Sequence, residues 1–436
     1  MLSRIVRLGI DYGTSTSKLV FRDPLAPGKE KTYLVIRGGL FRIPSSVAIT
    51  EKELIFGCSP LDGAGVQGRW LESIKMRVAG ESTGNYQKYC YGPLPPLPNG
   101  FTAKDLAILT VWFLLSEGMN SISRFLNLST HDVAITATVG IPMSFYEDDK
   151  LRTEFLEIAR TARRIYDDCG SMKTNCVALD VGLALVRRHR MSAEEIGVPC
   201  DELRNWIRSE AEAAMCLAVK SPSVSDGPFA EVDIGAGTTN ASIFSILPRF
   251  DGQRWLKERL AFFGARSEPF GMDAVDAALA RQQGISHDLC LSLRGSERDV
   301  FRKTGTYSLL RTLEGIREAY MLAWRRSAPK LHRPELENFQ SHQVFVIGGG
   351  SLVSEIADVF RRHPAGHEQR LRVRQLGKPD DLHRTDNRAI QFDDVPFVVV
   401  AYGLTFDALE VPETFTPNEF GLGYRPTRTP PNWEDM

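Results

Sequence analysis

Apolar and polar positions change rhythm several times along this chain, and each change marks an expected element. Arg4 to Ile10 alternates loosely, breaks into a turn rich in Gly, Ser and Thr, and resumes as an extended apolar run from Ser17 to Phe21. Two β-prone runs about a polar tip predict a hairpin. The segments KTYLVIR, PSSVAIT and ELIFG predict three further short strands. From Gly57 to Gly100 the text is irregular and rich in Gly and Pro, which predicts a loop handing the chain back to the main body.

The rhythm then becomes helical. Over Thr102 to Leu126, apolar residues recur at Leu106, Leu109, Trp112, Phe113 and Leu115, with Thr102 or Asp105 placed to open the helix. DVAITATVG is a nearly continuous β-prone run and predicts a buried strand. Asp148 to Tyr166 predicts a second amphipathic helix, and residues 171–207 carry two more helical patterns, the second continuing toward Lys220. SPSVSDGP at 221–228 breaks the composition and reads as a linker. Beyond it, FAEVDIGAGTTNASIFSI returns to strand, polar turn, strand. Helical text follows from Met272 to Gln283 and from Tyr307 to Arg326. HQVFVIGGGSLVSEIADVF predicts a buried strand, a glycine turn and a helix. PFVVVAYGLTFDAL predicts a closing apolar helix, although its β-branched run leaves a strand open. The proline-rich end, residues 426–436, reads as a flexible tail.

Two segments share one grammar. IDYGTSTSKLVF and VDIGAGTTNASIF each run from an apolar strand into Asp, then x-Gly, small or hydroxylated residues, and a second apolar strand. Asp11 and Asp233 stand about half a chain apart, a spacing that suggests duplicated domains rather than a solenoid.

Composition narrows the function. The formal net charge of -1 on 436 residues gives no global field for a polyanion, so no nucleic-acid partner is expected. Seven cysteines, with no C-x-x-C pair, argue against a zinc ribbon or a secreted disulfide framework and fit a reducing cytoplasm. No apolar run of membrane-spanning length is present, so no membrane partner is expected. The first residues run directly into a strand pattern without a signal-peptide core.

The repeated turns have a chemistry. Glycine between strands lets the backbone approach a ligand, and successive N–H groups there form an anion-binding nest. Thr14, Ser15 and Thr16 add hydroxyls at the first tip, and Thr238 and Thr239 at the second. Two such tips face to face would grip a polyphosphate. Bare carboxylates at Asp11 and Asp233 beside phosphate imply Mg²⁺ between them, held through water. A third element, Gly348, Gly349, Gly350 and Ser351, opens a helix and offers free N–H groups. It lacks the dinucleotide fingerprint, and no P-loop signature occurs in the chain.

In this order the elements resemble the actin-like ATPase superfamily, and most closely the nucleotide-binding domain of DnaK-type 70-kDa heat-shock chaperones, from about residue 7 to about residue 410. The resemblance implies an α/β fold of two lobes built from duplicated ribonuclease H-like domains, with a nucleotide cleft between them. Lobe I would span 1–227 with an insertion at about 37–100, and lobe II 228–425 with an insertion at about 272–338. GIDYGTSTSKLVF resembles the family's first phosphate motif, which implies that Asp11, Gly13, Thr14, Ser15 and Thr16 bind phosphate and metal. ESIKMRVAG resembles the segment of the catalytic lysine and implies Lys75 at the γ-phosphate. The stretch around Pro142 and Arg152 resembles the connecting motif that couples nucleotide state to outside contacts. SEAEAAM implies Glu210 near the attacking water, and DIGAGTTN implies Asp233, Gly235, Gly237 and Thr238 as the second phosphate motif. FGMDAVDAAL implies Gly271 beside the phosphates, LRTLEGIREA implies Glu314 and Arg317 at the adenine, and VIGGGSLVSEI resembles the adenosine motif.

The implied activity is slow Mg²⁺-dependent hydrolysis of ATP to ADP, with lobe closure regulating a protein partner. Two other readings stay open: an actin-like filament former, hence a homo-oligomer, and a small-molecule kinase. The chain departs from the chaperones at Asn240, where they carry an aspartate, in the third glycine before Ser351, and in the extra segment near 171–207. The text after the closing helix does not match their β-sandwich peptide-binding domain, so a nucleotide-binding unit alone is expected.

Overall fold

A computed structural model describes residues 4–26, 31–58, 68–86, 96–191, 195, 200–220, 227–250, 255–273, 275, 284, 307–331, 343–360 and 372–418. The fold is mixed α/β. Two hairpins organise it. β1 (Arg4–Asp11) and β2 (Thr16–Asp23) form the first, and β11 (Gly227–Ile234) and β12 (Thr239–Phe250) the second. Both are antiparallel and share one register: Asp11 lies opposite Lys18, and Asp233 opposite Asn240, seven residues on in each case.

A sheet of the same order grows around each hairpin. The first runs β10 (Ile207–Ser209), β8 (Val133–Ile141), β1, β2, β3 (Lys31–Leu34), β16 (Leu382–Arg384), with β4 (Ile43–Pro44) also on β2. The second runs β15 (Arg372–Arg374), β14 (Gln343–Ile347), β11, β12, β13 (Trp255–Glu268), β17 (Glu413–Phe415). In both, the first three strands are parallel, the next two pairings are antiparallel, and the last is parallel. The repeat seen around Asp11 and Asp233 thus extends to six strands apiece. A smaller sheet joins β7 (Arg69–Leu71), β5 (Val47–Ile49), β6 (Glu53–Phe56) and β9 (Cys176–Ala178).

Period-two alternation aims the second hairpin. Ala230, Val232 and Ile234 pack with Ile243, Val344 and Val346 in one core. Phe229 faces the other way, into the core shared with the first sheet, and its ring lies 5.6 Å from those of Phe244 and Phe345. Glu231 and Asp233 share that face with Phe229, so the carboxylate at the strand's end emerges toward the first half of the chain.

Helices fix the sheets' positions. α1 (Ile74–Thr83), α2 (Ala103–Leu126), α3 (Met143–Glu147), α4 (Asp149–Cys169) and α5 (Leu179–His189) belong to the first half. α6 (Glu210–Lys220), α7 (Tyr307–Ser327) and α8 (Val395–Gly403) follow. Both residues expected to open α2 take part: Thr102 and Asp105 form a capping box. α2 is long and apolar enough to cross a membrane by length and composition, yet 83% of its apolar window is buried within the chain. Asp148 caps α4 by accepting from the N–H groups of Lys150 and Leu151. α6 and α8 approach so closely that a Cβ on Gly403 would meet the Ala213 carbonyl at 1.8 Å.

Three expectations change. The irregular stretch 57–100 holds a strand and α1, whose Ile74, Met76 and Val78 insert into the core. The continuous helix expected toward Lys220 is broken by β10, because Ile207 to Ser209 pairs in parallel with β8. Arg208 in that strand is fully buried and donates to the carbonyls of Gly403 and Phe406, which holds it out of a helical path. The β-branched run near the end is helical, as α8. Most of the expected helix 272–283, most of the linker 221–228 and the tail 426–436 lie outside the described residues.

Candidate functional site

The two hairpin tips open on one cleft, with about 1030 Å³ of space counting the solvent at its open mouth. From the first tip it is lined by Asp11, Gly13, Thr14, Ser15 and Thr16, and from the second by Asp233, Gly235 and Thr238. Lys75 enters from α1, Glu210 from the start of α6, and Gly348, Gly349 and Gly350 from the turn after β14. These predicted residues are therefore brought together from distant parts of the chain.

The remainder sit apart from the lining. Gly237, within the second tip, is buried. Gly271 packs on that tip so tightly that a Cβ would meet the Ala236 carbonyl at 2.0 Å, and the N–H groups of Met272 and Asp273 bond the carbonyls of Gly235 and Ala236. Ser351 closes the glycine turn by donating from Oγ to the Gly348 carbonyl at 2.7 Å. Glu314 and Arg317 lie exposed on α7, outside the cleft's lining. Between them Gly315 packs on Phe270, so the inward side of α7 is apolar there.

Lys75 is 3% exposed. Its Nζ donates to Glu210 Oε1 at 2.5 Å and to the Tyr12 carbonyl at 2.8 Å. An ammonium buried among a carboxylate and carbonyls is a built contact, unlike a solvated surface lysine. Two further lining residues take their meaning from the strand register. Lys18 pairs with Asp11 at 3.1 Å, directly across the first hairpin. Asn240, its counterpart on the second hairpin, donates from Nδ2 to Glu210 Oε2 at 3.5 Å. Each stands seven residues after its Asp, an equal spacing whose significance only the register shows. Pro142, at the start of α3, also lines the cleft, and so does Phe397 of α8.

The charges are crowded. Desolvation, then Glu210 and Asp11, push the Asp233 carboxyl up to about 7. Desolvation also raises Glu210, with Lys75 opposing it. Behind them Glu231, 1% exposed, is raised well above the carboxylate range by burial and by Asp233 and Glu210. Four carboxylates, Asp11, Glu210, Asp233 and Asp273, line the cleft with two ammonium groups, Lys18 and Lys75. An all-oxygen donor set with surplus negative charge suits a hard divalent cation such as Mg²⁺ rather than a thiolate-seeking metal.

A scan against protein-family models finds no match to the chain, and a search of curated proteins finds none significantly similar.

Proposed function

We propose that this chain is a Mg²⁺-dependent ATP-binding and hydrolysing protein with the two-lobed actin-like fold. The proposed lobes are 1–227 and 228–425, and their closure on nucleotide in the cytoplasm regulates a partner protein, as in DnaK-type 70-kDa chaperones. The observation that carries the reading is the meeting of the Asp11 and Asp233 tips in one cleft, with a buried Lys75–Glu210 pair between them. The repeated six-strand order supports the duplicated fold.

Each residue then has a task. The backbone of Gly13 and Gly235 and the hydroxyls of Thr14, Ser15, Thr16 and Thr238 hold phosphate oxygens. Asp11 and Asp233 would hold Mg²⁺, which would neutralise phosphate charge. Lys75 leaves its contact with the Tyr12 carbonyl to meet the γ-phosphate. Glu210 orients a water in line with the bond to be broken. The water oxygen bonds to the γ-phosphorus as the bond to the ADP oxygen breaks, and the water's proton passes to Glu210 or to phosphate. Such chemistry needs positioning and charge neutralisation more than covalent catalysis. Glu314 and Arg317 carry no weight in this reading.

Phosphate release from Mg·ATP with no added acceptor tests it. Turnover in the natural chain, lost in Asp233→Ala, supports an ATPase. Transfer only to an added hydroxyl compound would point to a kinase, and ATP-dependent sedimentation to a filament.

A further inference from the structure

Three hydrogen bonds run in series across the molecule and end on one carboxylate. Ser144, in α3 just after the cleft-lining Pro142, pairs through Oγ with Ser267 Oγ of β13 at 2.6 Å. Ser267 Oγ donates to Asn240 Oδ1 of β12 at 2.6 Å. Asn240 Nδ2 donates to Glu210 Oε2 at 3.5 Å. On its other oxygen Glu210 accepts from Lys75 at 2.5 Å. A hydroxyl has a single hydrogen. Ser267 commits its hydrogen to Asn240, so Ser144 must donate to Ser267. The direction is fixed from end to end, and every donor leads toward Glu210.

Resting on the ATP chemistry proposed above, we propose that Ser144, Ser267 and Asn240 are positioning residues that hold Glu210 in the orientation its water requires. Asn240 is required by the polarity of this series. Its amide offers an acceptor to Ser267 and a donor to Glu210 at once. An ionised aspartate in its place has acceptors alone. It would satisfy Ser267 and set a second carboxylate against Glu210 at the 3.5 Å now spanned by a hydrogen bond. The residue that departs from the chaperone motif is therefore matched to its neighbours. Ser144 and Ser267 come from opposite halves of the strand repeat, so the series is complete only when the two halves are in contact at α3.

The test measures phosphate release and, on the same samples, ATP binding by calorimetry. The variants are Ser267→Ala, Ser267→Thr, Ser144→Ala, the double alanine variant and Asn240→Asp. Ser267→Ala is expected to lower kcat on the order of tenfold and to leave the ATP Kd within about twofold. Ser267→Thr, which keeps the hydroxyl, restores the rate. Ser144→Ala and the double variant lose no more than Ser267→Ala alone, because links in series do not add. Asn240→Asp slows the reaction. Equal kcat in Ser267→Ala and the natural chain overturns the positioning role and leaves the nucleotide site standing. A faster Asn240→Asp, or ATP binding without turnover in the natural chain, overturns it likewise. A natural chain that takes up no ATP removes the ATP reading itself, and this inference with it.

Discussion

Replacing Lys75 with methionine keeps the aliphatic stem and removes the charge from the centre of the cleft. Lys75 is 3% exposed and Glu210 is 6% exposed, so the pair lies out of bulk water. In the natural chain Asp11, Glu210, Asp233 and Asp273 line the cleft with two ammonium groups, Lys18 and Lys75; after Lys75→Met one remains. Removing one partner of a buried ion pair costs roughly 3–5 kcal/mol, because the other charge is stranded. The loss of an exposed pair costs about 0–1 kcal/mol. Burial puts this pair in the first class. The stranded Glu210 can escape by taking up a proton, and desolvation already raises its pKa. The destabilisation should therefore be largest at alkaline pH and shrink as the pH falls. Adding Glu210→Gln should recover most of it. Urea unfolding followed by tryptophan fluorescence, without nucleotide, reads the change as a shift in midpoint. A loss below about 1 kcal/mol at pH 8 would show Lys75 to be a solvated lysine and refute the charge arrangement of the cleft.

Two further outcomes follow from the same geometry. Glu147, in α3, is buried beside Arg326 at 3.2 Å, and burial pushes it from the usual 4.5 up to about 7, with Arg326 and Lys330 opposing. A carboxyl raised in the native state stabilises the fold in its neutral form. That contribution is complete below the unfolded value and is lost as pH rises through about 7. Glu147→Gln should thus gain on the natural chain by up to about 3 kcal/mol between pH 4 and pH 8; melting curves with a constant difference across that range would contradict this. Gly348 sits at φ 77° and ψ 170°, where a Cβ would meet Asp233 Oδ1 at 2.3 Å. Gly348→Ala should cost roughly 3 kcal/mol from strain and overpacking and weaken ATP binding by displacing Asp233. An unaltered melt would refute that.

Much of the cleft was legible because its requirements are local. An Asp at a strand end followed by x-Gly and hydroxyl residues specifies a hairpin tip without reference to the rest of the chain, and the tip appears twice. Lys18 was not legible in that way: one lysine in β2 looks solvated until the register sets it opposite Asp11. Nor was the fit of Asn240, whose meaning depends on Ser267 from another strand and Ser144 from the other half. β10 was hidden by flanking helix-forming text, and only parallel pairing with β8 and the burial of Arg208 decide for a strand. α1 was masked by neighbouring Gly and Pro although its own residues carry three core side chains, Ile74, Met76 and Val78. Glu314 and Arg317 show the opposite limit: a local match on α7 says nothing of which side of the helix meets the cleft.

The most direct measurement is calorimetric titration of ATP into the natural chain and into Asp233→Ala, each with Mg²⁺ and with the metal chelated. Saturable uptake by the natural chain, weakened both by chelation and by loss of Asp233, is the predicted result. A folded chain that takes up no adenine nucleotide, or binds it equally under all four conditions, would contradict the assignment of the cleft.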